Sequence, residues 1–138
     1  MKAVVLDTSV MVAGLIARRG AAADLVDAFF GDRLPVAYTP AILGEYAEVL
    51  ERPEFAGTIL PADRIGVIVK LRASGLLVKP VTVPFADWPD LDDLPYVAAT
   101  LATERKLVVT LTPRAFAPAT TIGVRVLSPS AARRELID

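Results

Sequence analysis

The sequence predicts an α/β fold in which a central, mostly parallel sheet lies between two layers of helices, a three-layer α/β/α arrangement. Short apolar runs alternate along the chain with segments of helical length, which is typical of parallel strands joined by crossover helices. The first run, residues 4–6, is apolar without interruption, as in a strand buried on both faces. At 138 residues the chain has the size of one domain, so we expect a single domain over residues 1–138.

The N-terminal segments begin with a strand that ends at Asp7 and is followed by the apolar run VMVAGLIA. The hydroxyls of Thr8 and Ser9 are in position to cap a helix over that run. The segment AAADLVDAFFGD predicts a second helix with Gly31 as its stop signal. LPVAYT then predicts a short strand.

Two further helices are predicted before residue 75. Thr39 or Pro40 begins the first of them, and its apolar residues recur at helical spacing until Pro53 ends it. The segment PADRIGVIVKLRAS forms the second, with Pro61 in its first turn and Gly75 after its end.

The C-terminal half continues the alternation. LLVKPVTV predicts a strand or an edge segment, because its Pro80 removes a backbone donor, and DWPDLDD predicts a turn. LPYVAATLATERK is a helix that tolerates Pro95 in its first turn, and LVVT is a short buried strand. TPRAFAP predicts a loop or single helical turn, GVRVLS the last strand, and SPSAARRELI a terminal helix capped by Ser128 or Ser130.

The composition excludes several classes of protein. The chain has no Cys, which excludes disulfides and thiolate zinc sites and fits a reducing, cytoplasmic compartment. No uncharged apolar run approaches the length of a membrane helix, and the N-terminus lacks the pattern of a signal peptide, so we expect a soluble protein that does not associate with membranes.

The charge is nearly balanced, with 15 basic and 16 acidic residues, unlike that of a strongly basic nucleic-acid binder. A local basic rim around an acidic centre is still compatible with this balance. The candidates for this rim are Arg18, Arg19, Lys70, Arg72, Arg105, Lys106 and Arg114. The alternative role of each is an ordinary solvated surface charge. Among them, Arg18, Arg19 and Arg114 are the residues that we expect to contact RNA if the chain acts on it.

Carboxylates are the only anionic ligands or general bases that this chain offers, because it also has no His. Asp7 is the last residue of the first predicted strand, and ligands of open parallel sheets bind beyond the carboxyl ends of the strands. Asp7 is thus a candidate site residue. A plain helix cap is the alternative role.

Glu45 lies within a predicted helix, nearer its apolar stripe than Glu48 or Glu51. A carboxylate at the margin of a core-facing stripe is costly unless a partner neutralises it, and a bound cation is one such partner. A solvated side chain and an ion pair with Lys or Arg are the alternatives. We interpret Glu48 as a surface residue.

Three acids, Asp90, Asp92 and Asp93, precede the helix at LPYVAATLA. One of them suffices as a helix cap. Bringing the others together raises their pKa values and costs stability, which suggests a cation at their centre. Mg²⁺ or Mn²⁺ suits an all-oxygen site, and such an ion activates water and positions a phosphodiester.

At these residues the sequence resembles a PIN domain, the small ribonuclease fold of VapC-like toxins in toxin–antitoxin pairs. VVLDTSVMVAGLI resembles the family's strand, Asp, Thr or Ser signature, and EYAEVLERPEF its acid-bearing middle helix. DLDDLPYVAATLATERKLVVT resembles its third block. The three blocks follow one another in the family's order through nearly the whole chain.

The resemblance implies a PIN-like fold and metal-dependent hydrolysis of RNA. By position, Asp7, Glu45 and Asp93 would be catalytic and would ligate Mg²⁺ or Mn²⁺, with Asp90 close by as a further ligand. Hydrogen bonds to these ligands would come from Thr8, Ser9, Thr110 and Thr112. The expected partners are an RNA substrate, a cognate antitoxin and a second copy of the chain in a homodimer.

The chain departs from the family after the strand LVVT. The family usually continues with Thr, Gly and then Asp or Asn, whereas this chain has Thr110, Leu111 and Thr112. The departure predicts either a one-metal site, with Thr112 as a neutral substitute, or a catalytically impaired module that binds RNA or a protein. A phosphotransfer domain ranks last, because the second Asp that it needs near Asp7 is missing.

Overall fold

Five short parallel strands form the centre of the part of the molecule that the structure describes. A computed structural model describes residues 2–84 and 88–138. The strands are β1 (Val5–Leu6), β2 (Ala37–Tyr38), β3 (Leu76–Leu77), β4 (Leu107–Val109) and β5 (Arg125–Leu127). Asp87, the first residue of the predicted DWPDLDD turn, lies outside the described residues.

The strands form two ladders that one bridge connects. In the three-stranded ladder, β4 lies between β1 and β5, and Leu6 pairs in register with Val109. β2 pairs with β3 in the other ladder, and a parallel bridge between Val4 and Val36 joins the two. The order across the sheet is therefore β3-β2-β1-β4-β5, with β1 in the middle. This confirms the predicted parallel sheet.

Helices flank the sheet in two groups. α1 (Thr8–Ile16) packs on α2 (Ala21–Phe30), which also contacts α6 (Pro129–Leu136). α3 (Pro40–Leu50) packs on α4 (Pro61–Ser74) and on α5 (Leu94–Leu101). The core between the layers is apolar, and every residue of β1 and β4 is fully buried. Along the described part of the chain, no helix combines the length and the apolar character that crossing a membrane requires.

Several helix boundaries coincide with the predicted ones because local signals set them. The Thr39 hydroxyl accepts a hydrogen bond from the Ile42 amide at 3.3 Å, and Pro40 opens α3. α4 begins at Pro61 and ends before Gly75. Ser128 caps α6 through the Ala131 amide at 3.2 Å, which decides between the two predicted serines.

Three local predictions need correction. Thr8 and Ser9 do not cap α1: the helix begins at Thr8, and Asp7 occupies the cap position without a side-chain cap bond. LLVKPVTV contributes only Leu76–Leu77 as a strand, and the backbone beyond it is irregular up to residue 84. TPRAFAP is part of a ten-residue 3₁₀ helix, Pro113–Ile122, rather than a loop or single turn.

The parallel order brings two distant chain segments to one edge of the sheet. β1 and β4 are neighbours, and their carboxyl ends lead directly into Asp7 and Thr110. The Asp7 amide extends the ladder by donating to the Val109 carbonyl at 2.9 Å. Residues that follow β1 and β4 therefore face the same crevice.

Candidate functional site

Asp7 is held at the edge of the sheet by two hydroxyl groups. Ser9 donates to its Oδ2 at 3.0 Å and Thr110 donates to the same oxygen at 2.8 Å. The residue is only 8% exposed. In the part of the chain that the structure describes, its other oxygen, Oδ1, accepts no hydrogen bond from a side chain. The carboxylate is thus oriented by two donors and keeps one oxygen available.

The segment after β4 is tied to the same hydroxyls. The Leu111 amide donates to the Ser9 hydroxyl at 3.3 Å, and the Thr112 amide donates to the Thr110 hydroxyl at 3.1 Å. The hydroxyls of Thr110 and Thr112 are 3.3 Å apart. Thr110 contacts Asp7 directly, whereas Thr112 acts through Thr110.

Glu45 projects from α3 towards the same crevice. It is half-buried, and burial raises the pKa of its carboxyl group, although hydrogen bonds from Tyr96 and Thr8 partly offset the rise. The charges of Asp7 and Asp92 raise this pKa further. Glu45 is therefore close enough to Asp7 for the two charges to interact.

Two buried tyrosines position the elements that carry these acids. The Tyr46 hydroxyl donates to the Leu6 carbonyl, which fixes α3 against β1. The Tyr96 hydroxyl of α5 forms a buried hydrogen bond with the hydroxyl of Thr8. Burial raises the pKa values of both phenols, so they stay neutral and act as donors. Tyr96 thus connects α5 to the start of α1 and to Glu45.

The acids before α5 lie in a short 3₁₀ turn, Leu91–Asp93. Asp90 caps this turn by accepting from the Asp92 amide at 2.9 Å. Asp93 is half-buried, and its pKa is raised to about 6 by burial first and then by the charges of Asp7, Asp90, Asp92 and Glu45. Asp90 therefore caps the turn that leads into α5, whereas Asp93, at the cap position of α5 itself, makes no side-chain cap bond and is held in a field of like charge.

The donor chemistry of these acids fits a hard divalent cation, because carboxylate oxygens that repel one another are stabilised by such an ion. Among residues 2–84 and 88–138, however, no three acidic side chains lie close enough together to enclose an ion. Mg²⁺ tolerates this arrangement, since it keeps several water ligands and usually binds only one or two carboxylates.

A groove of about 570 Å³ opens beside the acids. Its polar lining consists of Thr8, Ser9, Glu45, Arg52 and Asp92. Its apolar lining consists of Val12, Ala13, Ile16, Val49, Phe55 and Leu111. The groove is large enough for a nucleotide-sized ligand.

The predicted RNA-binding arginines lie elsewhere. Arg18 lines a separate depression together with Asp27 and Asp63. Arg19 is exposed after α1, and Arg114 is exposed at the start of the 3₁₀ helix Pro113–Ile122. A role of these three in RNA binding stays a prediction.

Tyr96 and Arg52 also belong to the site, although their sequence pattern did not predict them. A buried tyrosine hydroxyl requires a partner, so Tyr96 on the apolar face of α5 was a signal for a polar neighbour. Arg52 lies at the end of the predicted middle helix as one of several charged residues, and nothing in its local pattern distinguishes it.

A comparison with protein-family models matches residues 3–111 of the chain to a PIN domain. The match spans most of the molecule and includes Asp7, Glu45, Asp93 and Thr110. A comparison with curated proteins found no match.

Proposed function

This chain belongs to the PIN domain family, and from that membership we propose that it is an Mg²⁺- or Mn²⁺-dependent endoribonuclease. Members of the family are usually nucleases and generally use divalent metals. The observation that carries the proposal is the group of half-buried acids at the edge of the sheet, where burial first and then mutual repulsion raise the pKa of Asp93 to about 6. Such a group of acids costs stability in the absence of a cation.

Asp7, Glu45 and Asp93 are the proposed metal ligands, with one or two of them bound to the ion directly and the rest reaching it through its water ligands, and Asp90 is the proposed neighbouring acid. A bound ion would activate water for attack and neutralise charge on the phosphate oxygens. Ser9 and Thr110 orient the Asp7 carboxylate through Oδ2, and the hydrogen-bonded pair of Tyr96 and Thr8 lies beside Glu45 and lowers its pKa. The chain's own hydroxyls therefore orient the carboxylates before any ion or RNA arrives.

Asp7→Asn is the first test. The substitution keeps the shape of the side chain and removes its charge, so we expect the fold to persist and Mn²⁺-dependent cleavage of RNA to fall about 100-fold or more, as when an interaction made chiefly in the transition state is lost. Cleavage of a labelled oligoribonucleotide with Mn²⁺ and with chelator gives the activity, and circular dichroism checks the fold.

Glu104→Gln is the matched control, because it neutralises an exposed acid that lies beyond α5. We expect it to cleave at the wild-type rate. The assignment fails if wild-type cleavage depends on metal and Asp7→Asn cleaves equally well.

A catalytically impaired module is the second candidate, and the segment after β4 favours it. The position where the family usually has an acid or amide holds Thr112, whose hydroxyl is 3.3 Å from that of Thr110. Calorimetric titration with Mn²⁺ separates the two functions. Absence of binding at millimolar metal favours the module, whereas binding that Asp7→Asn abolishes favours the nuclease.

We further propose that the chain is the toxin of a toxin–antitoxin pair in the cytoplasm. The support is the ordered resemblance of its three blocks to VapC-like toxins and the absence of Cys. Induced expression should arrest growth, and Asp7→Asn should not. Co-expression of a short gene immediately upstream, encoding a DNA-binding protein with an amphipathic tail, should relieve the arrest.

A homodimer is the proposed assembly, and an apolar surface on α4 supports it. Leu60, Ile65 and Val69 are 65%, 56% and 59% exposed. Ile65 and Val69 line a groove between α3 and α4 together with Ala47, Leu50 and Ile68. An exposed apolar surface of this kind marks an interaction site, and pairing of one surface with itself closes a two-fold dimer.

A further inference from the structure

Arg52 is the one cation among the described residues that line the groove beside the acids. It follows the end of α3, and its guanidinium donates to Glu48 from Nε at 3.2 Å and from Nη2 at 3.0 Å. The two side chains are 47% and 62% exposed. An exposed pair of this kind contributes little stability, so the guanidinium exchanges readily between Glu48 and another anion.

Phe55 lies on the apolar wall of the same groove. It ends the short 3₁₀ helix Pro53–Phe55, in which its amide donates to the Arg52 carbonyl at 3.0 Å. Its own carbonyl accepts from the Ile59 amide at 2.8 Å. The ring packs partly against the core and is otherwise accessible. The backbone thus holds the Phe55 ring in place at a position three residues along the chain from Arg52.

The charges in the groove define what this pair contributes. Glu45 and Asp92 make the groove acidic, and the whole chain carries a formal net charge of −1. A polyanion gains no general attraction to such a surface. Arg52 supplies a local positive charge, and single-stranded nucleic acids bind where aromatic rings stack on bases beside cations that contact the backbone.

We propose that Arg52 and Phe55 form a nucleotide-binding subsite for single-stranded RNA next to the acidic site. Phe55 stacks on an unstacked base, and Arg52 leaves Glu48 to bind the adjoining phosphate. The inference rests on the proposed nuclease function, because that function supplies RNA as the ligand. A base inside a duplex cannot reach Phe55, so the subsite selects single strands.

The test measures binding rather than cleavage. A labelled single-stranded 2′-O-methyl oligoribonucleotide is titrated with the full chain in Mg²⁺ and followed by fluorescence anisotropy, and gel electrophoresis after each titration checks that the oligonucleotide is intact. We expect Arg52→Gln and Phe55→Leu each to weaken binding about 10-fold, and Phe55→Tyr to bind as the wild type does. Arg52→Gln should also reduce the slope of log K against log salt by about 0.7, the loss of one phosphate contact.

Matched controls separate this subsite from general charge effects. Arg125 also forms an exposed two-bond pair with a glutamate, Glu135, and it belongs to β5 outside the groove. Arg125→Gln should leave binding unchanged. Glu48→Gln releases Arg52 and should bind at least as tightly as the wild type. Thermal unfolding of each variant checks that the fold persists.

Undetectable binding of the oligonucleotide to the wild type would overturn the proposal, as would wild-type affinity in both Arg52→Gln and Phe55→Leu. Failure of the nuclease proposal has a different signature. If the chain binds RNA through Arg52 and Phe55 but never cleaves it, the subsite proposal stands and the nuclease proposal fails. If the chain cleaves RNA with metal while both variants bind normally, the nuclease proposal stands and the subsite proposal fails.

Discussion

Asp93 shows how a single residue reports the electrostatics of the acidic site. The pKa of its carboxyl group rises from the ordinary aspartate value of 3.8 to about 6 in the fold. After burial, the charge of Asp7 is the largest cause of the rise, ahead of Asp90, Asp92 and Glu45. Asp7 and Asp93 are therefore electrostatically coupled although they lie on different elements.

The pKa of Asp93 yields a prediction for the metal-free protein. Between pH 4 and 6 the folded chain holds a proton on Asp93 that the unfolded chain has lost, so stability falls as pH rises through that range and is constant above it. Asp93→Asn removes the part of this effect that is due to Asp93, and Glu45, whose pKa is also raised, keeps its own part. At pH 7 with chelator, we expect this variant to have a higher Tm than the wild type because it lacks the ionised Asp93 carboxylate. The rise should be only about 2–4 °C, since solvent screens the charge of a half-exposed group. At pH 4 the Tm should be unchanged.

Calorimetry at both pH values measures this difference, and NMR titration measures the pKa itself. Asp7→Asn should lower the pKa of Asp93 more than Asp92→Asn does. Glu104→Gln, which changes an exposed acid, should alter neither quantity. An Asp93→Asn variant that is less stable than the wild type at pH 7 without metal would contradict the prediction.

The residues of the candidate site differ in how far the sequence could predict them. Asp7 was identifiable because a buried strand ends there, and the position after such a strand is fixed by the sheet. The bond between Thr110 and Asp7 joins residues 103 positions apart, so it depends on β1 and β4 being neighbours. Arg52 joins the groove only because the chain turns at Pro53 after α3.

At the scale of the element, the difference between α4 and the 3₁₀ helix Pro113–Ile122 follows from proline. Pro61 begins α4 where its missing N–H costs nothing. Pro118 lies inside the later segment, where a missing donor disrupts an α-helix. The hydroxyls of Thr120 and Thr121 donate to carbonyls three residues earlier, each at 2.7 Å. The proline-rich sequence therefore predicts a loop, although local bonds keep the segment helical.

The contact between α1 and α2 depends on Gly14. A Cβ at this position would meet Val26 Cγ2 at 2.3 Å and the Ala22 carbonyl oxygen at 2.7 Å. Gly14→Ala should therefore destabilise the chain by about 1–3 kcal/mol through overpacking. Urea unfolding measures the free energy, and Val26→Ala in the Gly14→Ala background should recover part of the loss.

Gly44 is the matched control for that prediction. It lies within α3, and nothing stands within 4 Å of a Cβ added there. Gly44→Ala should stabilise the chain by about 0.5–1 kcal/mol, because alanine is the better helix former. Equal effects of the two substitutions would refute the close approach of α1 and α2.

At the scale of the whole molecule, the sheet topology assembles the candidate site, and the net charge sets the general attraction of the surface for anions. The sheet order brings Asp7 and Thr110 together, and α3 and α5 pack on it to add Glu45 and Asp93. The formal net charge is only −1, so the surface as a whole attracts RNA weakly. The affinity for RNA that we propose must then come from the groove and from the proposed ion.

Self-association is a property of the whole molecule and can be tested at that scale. The apolar surface at α4, formed by Leu60, Ile65 and Val69, would lose contact with water in the proposed pairing with a second copy. Val69→Glu places a charge in that surface and should shift the chain from a dimer to a monomer of 14.7 kDa. Sedimentation over a range of concentrations measures the shift.

Val81→Glu, which changes an exposed valine beyond α4, should leave the dimer intact. A wild-type chain that stays monomeric up to millimolar concentration, or a Val69→Glu variant that still forms dimers, would show that this surface does not join two copies.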